Sequence, residues 1–225
     1  MRTGGRWSDG RELQCYTTRP ENISHDGHGH LKITARYERA STFCTDVRND
    51  YTSARIDTSG KQRFRYGTIE ARMRLPGGVG TWPAFWMLGD TYPELEQWPD
   101  AGEIDILEAR GSEPTKAHHA LHGETYGGVH WQRSTDTVGT DWTAGWHVYG
   151  IRWSENRIDY QIDGVTRYTL TPADIPADAP WVFNKEFHIL LNVAVGDWGG
   201  RPKPADYPRE LLVDWVRVYP PSLRR

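Results

Sequence analysis

Three carboxylates within six residues, Glu103, Asp105 and Glu108 of GEIDILEARG (102–111), are the side chains of this sequence best placed to do chemistry. The spacers Ile104, Ile106 and Leu107 are all apolar, which reads as a β-strand with acids on one face and a core on the other. Alternation at period two joins Glu103 to Asp105 but sends Glu108, at an offset of five, to the opposite face. An ionised carboxylate among Ile and Leu would be severely costly. One extra residue at Ile106–Leu107, a β-bulge, restores the parity and turns Glu108 toward the other two. The sequence therefore predicts a bulge there, and the parity conflict itself points to function, because bulges recur where a side chain must be re-aimed beside an active site.

Three carboxylates on one face repel, which splits their pKa values and leaves one ionised while another holds its proton near neutral pH. Glycoside hydrolysis needs such a split: one carboxylate attacks the anomeric carbon and one carboxylic acid protonates the departing oxygen, with the two carboxyls about 5 to 5.5 Å apart in a retaining enzyme. The plainer readings are a solvated polar face or a cation site. A hard cation such as Ca²⁺ wants several more oxygens than this segment offers.

The elements that must position these acids are short β-type runs separated by Gly, Pro, Asn and Asp. Strands are predicted at 12–17, 30–37, 51–58, 65–75, 84–89, 103–109, 117–123, 146–153, 157–163, 165–170, 187–195 and 211–219. Asp163-Gly164 supplies the two positive-φ positions of a type I′ hairpin turn in RIDYQIDGVTRYTL. PADIPADAP is broken by Pro172, Pro176 and Pro180 and reads as loop. Runs 84–89 and 187–195 are apolar at nearly every position, as buried layers are, whereas 65–75 alternates. Two stacked antiparallel sheets follow most simply, in one domain spanning residues 1–225.

Composition narrows the function classes. A chain of 225 residues with net charge −3 and no basic block offers no counterion-releasing surface for nucleic acid. No apolar stretch approaches the roughly 18 residues of a membrane span. Trp and Tyr number 11 each against 5 Phe, and these amphipathic rings serve both cores and surfaces that stack on partly polar ligands such as sugars. In WPAFWML, alternation puts Trp82, Ala84, Trp86 and Leu88 on one face and Phe85 and Met87 on the other, so Trp86 lines either a cleft or the core. Cys15 and Cys44 are either one bridge or two free thiols, and a bridge is expected if the protein is exported. His118, His119 and His122 sit in AHHALHG, which reads as a strand and lacks the intervening Glu of a zinc motif. His25, His28 and His30 fall in a Gly-rich turn and are expected to be exposed. Asn22-Ile-Ser24 fits a glycosylation sequon, a triplet that arises by chance.

The motif EIDILE, with YTSARI (51–56), RYGTIEARMRLP (65–76), GTWPAFWMLG (80–89), RGSEP (110–114), LHG (121–123), LLNVAVG (190–196) and LVDWVRVY (212–219), resembles glycoside hydrolase family 16. The resemblance is to its laminarinase-type members, in the bulged form of the signature, and covers residues 11–219. It implies an all-β jelly-roll sandwich of two antiparallel sheets, concanavalin-like, with a cleft on the concave sheet. The activity it implies is that of a retaining endo-1,3-β-glucanase, acting outside the cell as a monomer on a polysaccharide, with neither nucleic acid nor membrane as partner. Glu103 matches the nucleophile, Glu108 the acid/base, and Asp105 the carboxylate between them. Trp98 matches a tryptophan that stacks on sugar, Arg55 and Asn192 positions that contact substrate hydroxyls, and His122 a histidine beside the acid/base; Trp86 then leans toward the cleft. No cofactor is required. The family's opening strand has no counterpart here, so the backbone half of a structural calcium site is expected to be missing, with Asp214 its remaining carboxylate. Arg11 replaces the family's usual Asn, which alters one end of the cleft. Hydrolysis of mixed-linkage glucan or a galactan, and glucan binding without turnover, are the rival readings.

Overall fold

The computed structural model describes residues 11–41, 49–93 and 95–221. Two β-sheets stack face to face, as expected for a jelly-roll sandwich. Numbered in chain order, the nine-stranded sheet runs β1 (Gln14–Tyr16), β4 (Asn49–Ser53), β3 (Leu31–Ser41), β15 (Arg209–Tyr219), β6 (Gly67–Arg74), β11 (His147–Ser154), β12 (Arg157–Ile162) and β13 (Val165–Leu170), with β2 (Ile23–His25) also paired to β3. The six-stranded sheet runs β10 (His130–Val138), β9 (Lys116–Glu124), β8 (Glu103–Glu108), β7 (Thr81–Gly89), β14 (Phe187–Val195) and β5 (Arg55–Asp57). All pairings are antiparallel except β1 with β4. No helix among the described residues is long and apolar enough to cross a membrane.

The core lies between the sheets and is built by alternation. Ile33, Ile69, Met73, Tyr149 and Tyr160 reach in from one sheet, and Phe85, Met87, Ile104 and Leu121 from the other, all fully buried. Each such side chain stabilises the fold by about 1.5–3 kcal/mol through burial, so Phe85→Ala would cost about 3–5 kcal/mol. The predicted hairpin turn is present, with Asp163 at φ 52° and Gly164 at φ 75°, where a side chain larger than Asp or Asn would be strained. The segment 172–180 is loop apart from one 3₁₀ turn at Pro172–Asp174.

Three expectations need correction. The run 51–58 is two strands, not one: β4 ends at Ser53 in one sheet and β5 begins at Arg55 in the other, with buried Ala54 at the crossing. β2 and β10 were not foreseen, because β10 (HWQRSTDTV) is an edge strand that buries little beyond Trp131 and Thr137. Of the histidines near the Gly-rich turn, His25 and His28 are exposed, but His30 is half-buried, its Nδ1 2.6 Å from Asp26 Oδ2 and its ring 4.6 Å from that of Trp146. Asn22 is fully buried and its side-chain amide donates to Thr34 O and Thr52 Oγ1, so the sequon is structural. Cys15 is buried, and Cys44, its expected partner, lies outside the described residues.

Candidate active site

β8 carries the predicted bulge. Against β7, Asp105 pairs with Trp86 and Leu107 with Phe85, so Ile106 has no opposite number. Against β9, Asp105 pairs with Ala120 and Glu108 with His118, leaving Ile106 and Leu107 facing the single residue His119. Both Ile106 and Leu107 are 0% exposed in the core, and all three acids consequently emerge on the outer face of the six-stranded sheet. They border one cleft of about 580 Å³.

The two ends of this row differ in their neighbours. At the first, the Trp98 indole N–H donates to Glu103 Oε2 at 3.0 Å, while His122 Nε2 lies 3.1 Å from Asp105 Oδ2 and 3.8 Å from Glu103 Oε1. The His122 ring stacks on His130 at 11° between planes, with Nδ1 3.0 Å from His130 Nε2. At the other end, the Trp82 indole N–H donates to Glu108 Oε1 at 2.7 Å. His118 stands across the strand pair, its Nδ1 2.9 Å from Asp136 Oδ1 and its ring 5.2 Å from Trp198.

Burial raises all three acids. Desolvation pushes Asp105 up to about 8, opposed by its hydrogen bond with Glu103. Glu103 is raised by desolvation and then by the Asp105 charge, with His122 and the Trp98 donor pulling the other way. These two cannot both ionise cheaply and share a proton near neutral pH. Desolvation and the Asp105 charge lift Glu108 to about 7, against the opposing pull of His118 and the Trp82 donor. One end thus holds a hydrogen-bonded carboxyl pair carrying a single negative charge, and the other a carboxylic acid poised to give up its proton: the split that acid-assisted displacement requires.

The candidate substrate contacts fall on either side. Trp98 is 40% exposed, an open aromatic face beside Glu103. Trp86 lines the cleft, resolving the ambiguity left by alternation, and its indole N–H donates to Asn192 Oδ1 at 2.7 Å. Asn192 Nδ2 in turn donates to Tyr16 Oη at 3.1 Å, and the Arg55 guanidinium lies 5.3 Å from the Tyr16 ring. Arg55 pairs with Asn192 across β5 and β14, so both reach the cleft floor from the strands beyond β7. Arg11 lies at the cleft margin, 3.7 Å from Asp197.

One expected placement is corrected. His122 sits beside Glu103 and Asp105, and the histidine paired across from Glu108 is His118. Four strand residues, about 13 Å along β9, separate them: both point outward from a strand in which His119 points inward, so the three cannot share a zinc ion. Sequence reasoning gave no role to His118, Trp82, Glu12, Gln132 or Trp198, all of which line the cleft. Alternation did place Trp82 on the face of Trp86; buried Glu12, raised by desolvation and bonded to Gln14, carries no local signal at all.

Among the described residues, Glu103, Asp105 and His122 present atoms within 4.8 Å of one another that suit a metal. In that cluster His122 Nε2 faces both carboxyls. Asp214, the carboxylate that the resemblance leaves over from a calcium site, is paired with the Arg72 guanidinium, which lies 4.9 Å from the Trp146 ring centroid.

Residues 10–217 match the family described as Glycosyl hydrolases family 16. A β-glucanase of Rhodothermus marinus is 40% identical over 96% of this chain and 77% of its own length. The glucan endo-1,3-β-glucosidase A1 of Niallia circulans is 33% identical over 92% of this chain, which spans only 32% of that longer protein. The X-ray structure of an endo-β-1,3-glucanase from Pyrococcus furiosus superposes with a TM-score of 0.81 at 39% identity, covering 92% of this chain and 80% of its own. A bulged strand of three acids on the open face of a two-sheet sandwich and a family match over nearly the whole length lead to one conclusion: the chain belongs to glycoside hydrolase family 16.

Proposed function

We propose that this protein is a retaining endo-hydrolase of β-1,3-glucans. What carries the reading is that Glu103 and Glu108 border one cleft in unlike electrostatic surroundings, beside an exposed tryptophan face. Glu103 and Asp105 share one proton, and the form of the pair that leaves it on Asp105 frees the Glu103 carboxylate to attack the anomeric carbon. Its carboxylate oxygen bonds to that carbon as the glycosidic C–O bond breaks, and the Glu108 proton passes to the departing oxygen. Water then attacks the same carbon, Glu108 takes the water's proton, and the ester to Glu103 breaks, so both acids return to their starting states. Trp98 offers its face to a sugar ring near the cleavage point, and Trp86, Arg55 and Asn192 hold the chain on the other side through stacking and hydroxyl contacts. His122 keeps the carboxyl pair in place. No cofactor takes part and the Asp214 carboxylate is served by Arg72 in place of calcium. The protein works as a monomer outside the cell, where a polymeric glucan is met.

Reducing-sugar release from laminarin, barley glucan and agarose tests the linkage: laminarin is expected to be cleaved fastest, and preference for either of the others overturns the assignment. Glu103→Gln is expected to lower turnover by about 10⁴-fold or more, as loss of a covalent nucleophile does, with folding and glucan binding retained. A variant that still cleaves laminarin at a comparable rate would refute Glu103 as the attacking group.

A further inference from the structure

The bulge that presents Glu108 must be held open, and the residue opposite it has the means. His119 is the single β9 residue facing Ile106 and Leu107, and it is 0% exposed. Its Nδ1 lies 2.8 Å from the carbonyl oxygen of Ile106, the residue that the bulge takes out of register with both neighbouring strands. A carbonyl can only accept, so Nδ1 carries the proton. The other ring nitrogen, Nε2, lies 3.0 Å from Thr137 Oγ1 on β10 and accepts from that hydroxyl. A buried carbonyl released from a ladder is costly unless it finds a donor, and the imidazole supplies one from the core side, braced by Thr137 and packed 5.1 Å from the Tyr160 ring.

We propose that His119 is a positioning residue for catalysis: by donating Nδ1–H to the Ile106 carbonyl it fixes the bulge that turns Glu108 into the cleft. It touches neither substrate nor the reacting atoms and acts through the backbone two residues before the acid. Regular pairing of β8 with β9 would return Glu108 to the core face, so the hydrogen bond selects the register that brings the acids together. The inference rests on the assignment of Glu108 as the acid/base.

Replacing His119 with Ala removes the donor, whereas Asn places an amide N–H near the position of Nδ1. In folded proteins, checked by melting temperature and far-ultraviolet circular dichroism, His119→Ala is expected to lower kcat on laminarin by about 10²-fold with KM little changed, the loss that a misplacement of about 1 Å produces. His119→Asn is expected to recover most of it. With an aryl β-glucoside of laminaribiose whose leaving group needs no proton, the pre-steady-state burst should persist in His119→Ala. A folded His119→Ala with wild-type kcat, or equal losses in the Ala and Asn variants, overturns the proposal. Nitrogen-15 NMR of the unsubstituted protein decides the matter even where a variant fails to fold: His119 should be protonated at Nδ1 and bare at Nε2 between pH 5 and 8, and the opposite tautomer overturns it. A wild-type protein inactive on every glucan would instead sink the functional reading and leave the NMR result standing.

Discussion

The two ends of β8 present the same side chain in different company. Glu103 has a second carboxyl as its hydrogen-bond partner and an imidazole 3.8 Å away, with an indole donor from a loop. Glu108 has no carboxyl bonded to it, an indole donor from the adjacent strand, and a histidine across the pair that is itself tied to Asp136. Identical chemistry is thereby sorted into a shared-proton pair and a lone acid. The sorting is done by neighbours and burial, since the residues themselves are interchangeable on paper.

Because the neighbours differ, removing each glutamate should fail differently. Loss of Glu103 stops both steps, since the covalent ester neither forms nor is there to be hydrolysed. Glu108→Gln removes only proton transfer, so laminarin hydrolysis should fall by roughly 10²–10⁴-fold. The first step should be nearly spared for a substrate with an activated aryl leaving group, which departs without a proton. Pre-steady-state bursts on such a substrate check the contrast. A burst lost in Glu108→Gln and kept in Glu103→Gln would reverse the assignment of the two ends.

The raised acids also set a stability signature. Glu108 sits at about 7 against an ordinary 4.5, and Asp105 at about 8 against 3.8. A carboxyl raised in the folded state binds a proton there that the unfolded chain has already released. Stability therefore falls as pH rises through the window from roughly 4 to 8, and is fully present below the unfolded values. Glu108→Gln cannot ionise and escapes its share of that cost. Its melting temperature should match wild type at pH 4.5 and exceed it by a few degrees at pH 8, the familiar exchange of stability for activity at a catalytic site. A variant that melts lower than wild type at pH 8 would show that Glu108 is not held at a cost in the folded protein.

What the sequence reveals about this site follows from what is local. The bulge was legible because parity is a property of six consecutive residues: Glu108 had either to enter the core or to be re-aimed. The Asp163-Gly164 turn was legible for the same reason. The crossing at Ala54 was not, since a strand that switches sheets keeps its apolar pattern through the switch. β10 was hidden because an exposed edge strand has little to alternate, yet it supplies Gln132 to the cleft, and His130 and Asp136 to the cleft-lining His122 and His118. Arg55 and Asn192 came from family resemblance alone; nothing in their immediate neighbours marks them. Trp82 was placed on the correct face but its partner could not be named, because Glu108 is 26 residues away and comes into reach only through the pairing of β7 with β8.

That last contact gives the finest test of how the ends differ. Each glutamate receives one indole N–H, Trp98 to Glu103 and Trp82 to Glu108. A donor to a carboxylate favours its charged form, so removing the donor raises the acid's pKa. The bond to a charged group is worth about 1.5–3 kcal/mol when made in isolation, less beside solvent, and about 1.4 kcal/mol corresponds to one pKa unit. Trp82→Phe should therefore move the alkaline limb of the kcat/KM profile, which follows the protonated form of Glu108, upward from about 7 by up to about one unit, with a loss of only several-fold at the optimum. Trp98→Phe should leave that limb in place and raise the acid limb instead, because the carboxyl pair then takes up its second proton at higher pH. Two tryptophans, the same atom removed, and opposite sides of the pH profile: if both substitutions move the same limb, the two ends of β8 titrate as one cluster and the division between nucleophile and acid does not arise from their separate neighbours.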